Sequence, residues 1–225
     1  MTVRYEFALK SLTPLLLHAD DVEKADELEA WRKDPRNKSK SKAGDDRSPP
    51  WTWLTYLYFT EDGKHLSIPA ENLTKTLSIA GASVKMVKNT TFKKAVMSTI
   101  FPEEDQFILH AAGKPLSAKE FMTISEMEDF KDQADAVRKI PGCRLFLKRA
   151  VIGQSKHVRV RLRLDDWSIR GHLAMQNDSI SADVLKELFT LAGRFSGLCD
   201  WRPSSKSSPG RFGMFTLAEL KKLKE

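Results

Sequence analysis

Residues 157–164 alternate without a break, and no other stretch narrows the fold as much. Val158, Val160, Leu162 and Leu164 fall on one side of an extended chain, and His157, Arg159, Arg161 and Arg163 on the other. Side chains of a strand leave it with period two, so this strand has one apolar face and one cationic face. Upstream, Leu145-Phe146-Leu147 with Lys148 and Arg149 reads as a strand, with a turn at Gly153-Gln154-Ser155. Downstream, Trp167 to Met175 reads as another strand. Between Cys143 and Leu164 there are seven Lys or Arg and no acid. Like charges this close on one strand face repel unless a polyanion or an acidic partner neutralises them. Two readings follow. Arg159, Arg161 and Arg163 bind an anion, or they pair with carboxylates such as Asp165 or Asp166.

The chain begins with a second alternating segment. Val3, Tyr5, Phe7 and Leu9 oppose Arg4, Glu6, Ala8 and Lys10, which is a half-buried strand over residues 3–10. Ser11-Leu12-Thr13-Pro14 turns the chain, and Leu15-Leu16-Leu17 buries ahead of His18. Asp20 or Asp21 caps a helix from Val22 to Arg32. Two adjacent Asp could also hold a metal, but no further oxygen ligands accompany them. Residues 34–50 have no aliphatic side chain larger than Ala43 and carry five Lys or Arg against three Asp, so they read as a mobile polar insert. Trp51 to Thr60, rich in Trp and Tyr, reads as a strand whose aromatics either build core or stack bases. Asp62-Gly63 reads as its hairpin turn, returning through Lys64 to Ile68. Ala70 to Ala80 reads as a helix.

Residues 83–138 are the least regular. Lys85, Lys88, Lys93 and Lys94 surround Asn89-Thr90-Thr91 as a basic patch, Phe107-Ile108-Leu109 is a short strand, and Glu120 to Arg138 is acidic and partly helical. Ser181 then caps an amphipathic helix from Ala182 to Phe195. Gly197 to Gly213 follows as a loop of glycines, prolines and serines that carries Trp201, Arg202, Lys206 and Arg211. Glycine lets a backbone approach a ligand closely, and Arg or Lys suits phosphate, so this loop is either a phosphate cradle or a linker. Phe212 to Leu217 closes as a strand, and Lys221-Lys222-Leu223-Lys224 is a basic terminus.

These elements compose an α+β fold of a single domain over 1–225, with helices on one face of an antiparallel sheet. An RRM or ferredoxin-like core with large insertions at about 18–50 and 84–140 accommodates them. Such a sheet has an open face, where folds of this kind commonly meet RNA. The net charge is +7, while residues 102–135 carry nine acids against three lysines. A basic body with a separate acidic segment suits a polyanion-binding protein that also touches a basic partner, such as its own copy. The N-terminus is a polar strand, no apolar run reaches membrane-span length, and the two cysteines, Cys143 and Cys199, form no metal motif, so a cytoplasmic protein without cofactor is expected.

Three segments together resemble one family: the first strand running into Leu12-Thr13-Pro14-Leu15-Leu16, the Ile68-Pro69-Ala70-Glu71-Asn72-Leu73 lead into a helix, and the loop ending Gly210-Arg211-Phe212-Gly213-Met214-Phe215. They resemble the RAMP superfamily, the RRM-like RNA-binding proteins of CRISPR systems, and most of all the backbone subunit that polymerises along guide RNA. The resemblance implies a non-enzymatic, antiviral ribonucleoprotein subunit that binds RNA and copies of itself or related subunits. Arg159, Arg161, Arg163, Arg202, Lys206 and Arg211 would face phosphates, and Trp201 would stack or wedge a base. The family's processing endonucleases use a histidine, which makes His18, helped by Lys206, the candidate acid or base. Its target-cutting members use an aspartate with a metal, which makes Asp20 or Asp21 the candidate. An alternative from another class is a phage or mobile-element protein that uses the same fold to bind single-stranded DNA or another protein.

Overall fold

Both alternating ends of the chain meet in one sheet. The computed structural model describes residues 2–42, 44–86, 90–152, 155–177, 179–206 and 209–224. Its strands in chain order are β1 (Val3–Ser11), β2 (Leu15–Leu16), β3 (Ser67–Pro69), β4 (Ile100–Pro102), β5 (Gln106–Ile108), β6 (His110–Ala111), β7 (Lys114–Pro115), β8 (Cys143–Ile152), β9 (Ser155–Leu164), β10 (Trp167–Met175) and β11 (Phe215–Lys222). The α-helices are α1 (Val22–Lys33), α2 (Ala70–Gly81), α3 (Phe92–Thr99), α4 (Ala118–Ser125), α5 (Phe130–Lys139) and α6 (Ala182–Leu191). The molecule is a mixed α+β fold whose described strand pairs within named sheets are all antiparallel.

In the main sheet β1 lies between β11 and β10, and β10 receives β4 at one end and β6 with β7 at the other. Tyr5, Phe7 and Leu9 are buried, and Phe7 meets Phe107 edge to face at 5.2 Å and Phe189 of α6 at 5.6 Å. Gly171, the register partner of Phe7, is required there, because a Cβ would lie 2.3 Å from the Phe107 ring. Helices α2 and α6 bury Leu73, Leu77, Leu185, Leu188 and Phe189 in the same core. Ser181 caps α6 by accepting from the Val184 N–H at 3.3 Å, and Asp21 caps α1 by accepting from Lys24 N–H at 3.1 Å. Helix α1 itself buries no residue and lies on the surface.

A second sheet, ordered β2–β9–β8, carries the alternating strand. Cys143, Leu145, Val160, Leu162 and Leu164 are buried on its inner side. Several expectations change here. Residues 51–60 do not form a strand: Pro50–Tyr56 is a 3-10 helix and only the bridge between Phe59 and Leu66 is sheet-like. Pro49 and Pro50 lack a ladder donor, and the Thr52 and Thr55 hydroxyls donate to the carbonyls of Pro49 and Thr52 at 2.5 and 2.8 Å. Trp53 is fully buried, so this aromatic is core. The Asp62-Gly63 turn does form, with Gly63 at φ 66° and the Thr60 N–H reaching the His65 carbonyl at 2.8 Å.

The 34–50 segment is tied down, not a free arm: Asp46 N–H donates to the Val158 carbonyl at 2.9 Å and Val158 N–H to the Gly44 carbonyl at 2.8 Å. The last strand starts at Phe215, later than expected, and takes in Lys221 and Lys222, which pair with Glu6 and Tyr5. Helix α6 gives way at Ala192–Ser196 to a π turn. Lys88 and Asn89 of the basic patch, Gly153-Gln154 of the expected turn, Ala43, and Ser207-Ser208 of the loop lie outside the described residues.

Candidate nucleic-acid interface

Register decides what the cationic strand face contains. Opposite residues of an antiparallel pair share a face, and β8 pairs with β9 as Arg144↔Arg163, Phe146↔Arg161 and Lys148↔Arg159. One face therefore gathers Arg144, Phe146, Lys148, Arg159, Arg161 and Arg163, two strands wide. The expected neutralisation is partial. Asp165 accepts from Arg163 Nε at 2.7 Å and from Arg144 Nη2 at 3.1 Å, and Asp200 lies 3.6 Å from Arg161 Nε. Lys148 and Arg159 have no ion pair among the described residues. Five cations thus face two carboxylates, and the surplus is positive.

The 197–213 loop folds onto this face. Trp201 and Phe212 stack at 5.3 Å with 21° between planes, and Phe146 sits 6.3 and 5.5 Å from them. The Lys148 ammonium lies over the Trp201 ring, and the Arg163 guanidinium is 5.9 and 5.8 Å from Phe146 and Phe212. Burial against this ring lowers the Lys148 pKa. Trp201 is half-buried in these contacts, so it does not stand out as a free wedge. Its φ is 49° and that of Cys199 is 58°, a left-handed backbone that costs about 1–3 kcal/mol per residue and is held by its surroundings. Glycine is obligatory at 210 and 213: a Cβ would meet the Trp201 carbonyl at 2.0 Å in the first case and the Leu198 carbonyl at 2.0 Å in the second.

The loop's own cations divide by environment. Arg202 donates from Nη1 to the Cys199 carbonyl at 2.6 Å and from Nε to Ser204 Oγ at 3.0 Å, so it braces the loop. Lys206 and Arg211 are exposed. Arg161 is 4% exposed; its guanidinium lies 3.4 Å from the Tyr56 ring centroid, and Nη1 donates to the Val160 carbonyl at 2.9 Å. It lies beneath the site, whereas Lys148, Arg159 and Arg163 are partly exposed.

His18 stands beside Arg161, with Nδ1 3.9 Å from Asp200 and its ring 5.3 Å from Tyr56. Burial, reinforced by the Arg161 charge, holds its imidazole below the ordinary pKa and so neutral at pH 7. Tyr58 donates to the His18 carbonyl at 2.5 Å, and burial pushes the Tyr58 phenol up to about 12. Cys143 and Cys199 are both buried, with thiols pushed up to about 12 by burial. Neither is a ready thiolate. Asp21 is occupied as a cap, and no group of three or more His, Cys, Asp or Glu among the described residues could hold a metal ion.

Several charges on the open face of the main sheet are already matched. Arg4 pairs with Glu103 at 2.5 Å, His172 with Glu104 at 2.5 Å and Arg170 with Glu219 at 3.3 Å. The cation surplus is on β8–β9 instead. The alternation identified Arg159, Arg161 and Arg163 as a set, but Arg144, Phe146 and Lys148 join them only through register, and Phe212, Tyr56 and Asp200 only through chain folding. The run Arg144-Leu145-Phe146-Leu147-Lys148 has the same period of two, a signal that could have found three of these. Among the described residues no helix is long and apolar enough to cross a membrane. No protein-family model matches the chain, and no curated protein matches it either.

Proposed function

We propose that this protein is an RNA-binding subunit of a CRISPR-type ribonucleoprotein, gripping the guide RNA backbone through the β8–β9 face and the 197–213 loop. The observation that carries this reading is the surplus of cations, interleaved with Phe146, Trp201 and Phe212, on one two-stranded face. Cations track a phosphate backbone and aromatic rings take bases, which is how single strands are held without sequence preference. The strand order supports a RAMP-like core: β11–β1–β10–β4 is the last–first–third–second order of a ferredoxin-like sheet, with α2 and α6 as its two crossover helices. On this reading residues 103–166, including the gripping strands, are an elaboration of that core. The subunit acts in several copies or beside related subunits.

The test is fluorescence anisotropy with one single-stranded sequence made as RNA and as DNA. Lys148→Glu/Arg163→Glu is expected to weaken RNA binding more than tenfold and to reduce the salt slope by about 2, with an unchanged circular dichroism spectrum. Unchanged affinity at moderate salt would overturn the reading. Equal affinity for RNA and DNA would favour the phage-type single-strand binder, since the 2′-hydroxyl is the feature that separates the two. A second reading has its own observation: a neutral imidazole, His18, beside a guanidinium and a carboxylate, suited to proton transfer in metal-independent RNA cleavage. It requires that His18→Ala keep binding and stop cleavage, and an intact repeat RNA after incubation with the unaltered protein would remove it.

A further inference from the structure

We propose that the cavity between the end of α1, residues 41, 42 and 44–46, and β9 is a binding site for a single nucleotide bearing a phosphate monoester. The cavity measures about 410 Å³, and its lining includes Arg32, Lys42, Asp45, Asp46, Tyr56 and Arg159. That volume lies in the lower part of the range for small-molecule sites. Arg32, Lys42 and Arg159 converge on it from three separate parts of the chain, and none of them makes an ion pair among the described residues. Elsewhere arginines such as Arg4, Arg36, Arg47, Arg138 and Arg144 are matched to carboxylates within the chain.

The two acids in the wall offset only part of this charge. Arg47 neutralises Asp45 through Nε at 2.9 Å and Nη2 at 2.8 Å. Asp46 remains as an acceptor, which suits sugar hydroxyls. The wall is anchored where the 44–46 segment exchanges two backbone hydrogen bonds with Val158, at 2.8 and 2.9 Å. Tyr56, held in place under Arg161, lines the cavity as well. A phosphate monoester carries nearly two negative charges at pH 7, against one for a phosphodiester, so three unpaired cations favour a strand end or a free nucleotide over an internal backbone phosphate.

This inference shares Arg159 with the RNA-grip reading, but Arg32 and Lys42 are not part of the β8–β9 face and so test it separately. The experiment is isothermal titration calorimetry of the full chain with adenosine monophosphate and with adenosine, repeated with Arg32→Gln/Lys42→Gln. Both of these side chains are exposed and make no hydrogen bond among the described contacts, so the fold is kept. The monophosphate is expected to bind at least tenfold tighter than adenosine, and the double variant to lose that advantage. Two further arms compare a short oligoribonucleotide with a 5′-phosphate or a 5′-hydroxyl. A phosphate-dependent gain that the double variant abolishes assigns the site to a strand end, and binding of the free monophosphate alone assigns it to a free nucleotide. Equal binding of monophosphate and adenosine, or a double variant that matches the unaltered protein, would overturn the proposal. Unphosphorylated RNA bound equally by both proteins would leave the RNA grip intact in that case.

Discussion

Arg161 holds a full charge where only 4% of its side chain meets water. A lone buried guanidinium would be costly, so its neighbours are specific: the Tyr56 ring, the Val160 carbonyl and the Asp200 carboxylate. The same charge acts on His18, whose pKa is lowered first by burial and then by Arg161. Because folded His18 binds its proton less tightly than the unfolded chain does, its contribution to stability is present above about pH 6.5 and is lost as pH falls below that value. The melting temperature is therefore expected to drop between pH 7.5 and 5.5, and His18→Gln to reduce that drop. A two-dimensional NMR titration of Arg161→Met should show the His18 pKa rising toward its ordinary value while burial keeps it somewhat low. An unmoved His18 pKa in that variant would show that burial alone sets it.

Elements are joined here by single polar contacts inside the core. The 3-10 helix Pro50–Tyr56 meets the corner between α4 and α5 through the Trp53 Nε1–H, which donates to Gln133 Oε1 at 2.6 Å. Gln133 is fully buried and donates onward from Nε2 to the carbonyls of Met127 at 2.7 Å and Ser125 at 3.1 Å. All three are direct bonds between protein groups, so replacing Gln133 by Leu leaves one indole donor and two carbonyls without this partner. Urea denaturation is expected to show a loss of about 2–4 kcal/mol for Gln133→Leu. Trp53→Phe removes one bond and part of a ring, and should cost about 1–3 kcal/mol. A loss below 0.5 kcal/mol for Gln133→Leu would mean that the contact does not hold this corner. The 3-10 helix was hidden at the sequence level because Trp, Tyr and Thr favour strands in isolation. The two prolines that precede it and the back-bonding threonines decided otherwise.

Across the whole molecule charge is distributed unevenly, and the tertiary structure shows how much of it is spent internally. Within the acidic 102–135 segment, Glu103, Glu104 and Asp135 are matched to Arg4, His172 and Arg138. Glu120, Glu126, Glu128 and Asp132 make no ion pair among the described residues. On the proposed function, native mass spectrometry of the purified protein before and after ribonuclease treatment should find multimers carrying a discrete RNA that dissociate on digestion. A monomer free of nucleic acid would count against assembly along a guide.

The sequence by itself determined the strands at 3–10, 145–149, 157–164 and 167–175, a cap at Asp20 or Asp21 and one at Ser181, and the two faces of β9, because these depend on neighbours a few residues away. It also marked the 197–213 loop through its glycines, two of which the packing does require. Only the tertiary structure decided which cations stay available. Arg161 and Arg202 look equivalent to Arg159 and Arg163 in a list of residues, yet Arg161 is enclosed under the Tyr56 ring from a distant part of the chain and Arg202 is turned back onto the Cys199 carbonyl of its own loop. Strand register put Lys148 and Phe146 into the same face, and the tethering of residues 44–46 to Val158 made a cavity where the sequence suggested a loose arm. A strand's pattern is local, whereas the environment of a charge is the sum of everything that folds around it.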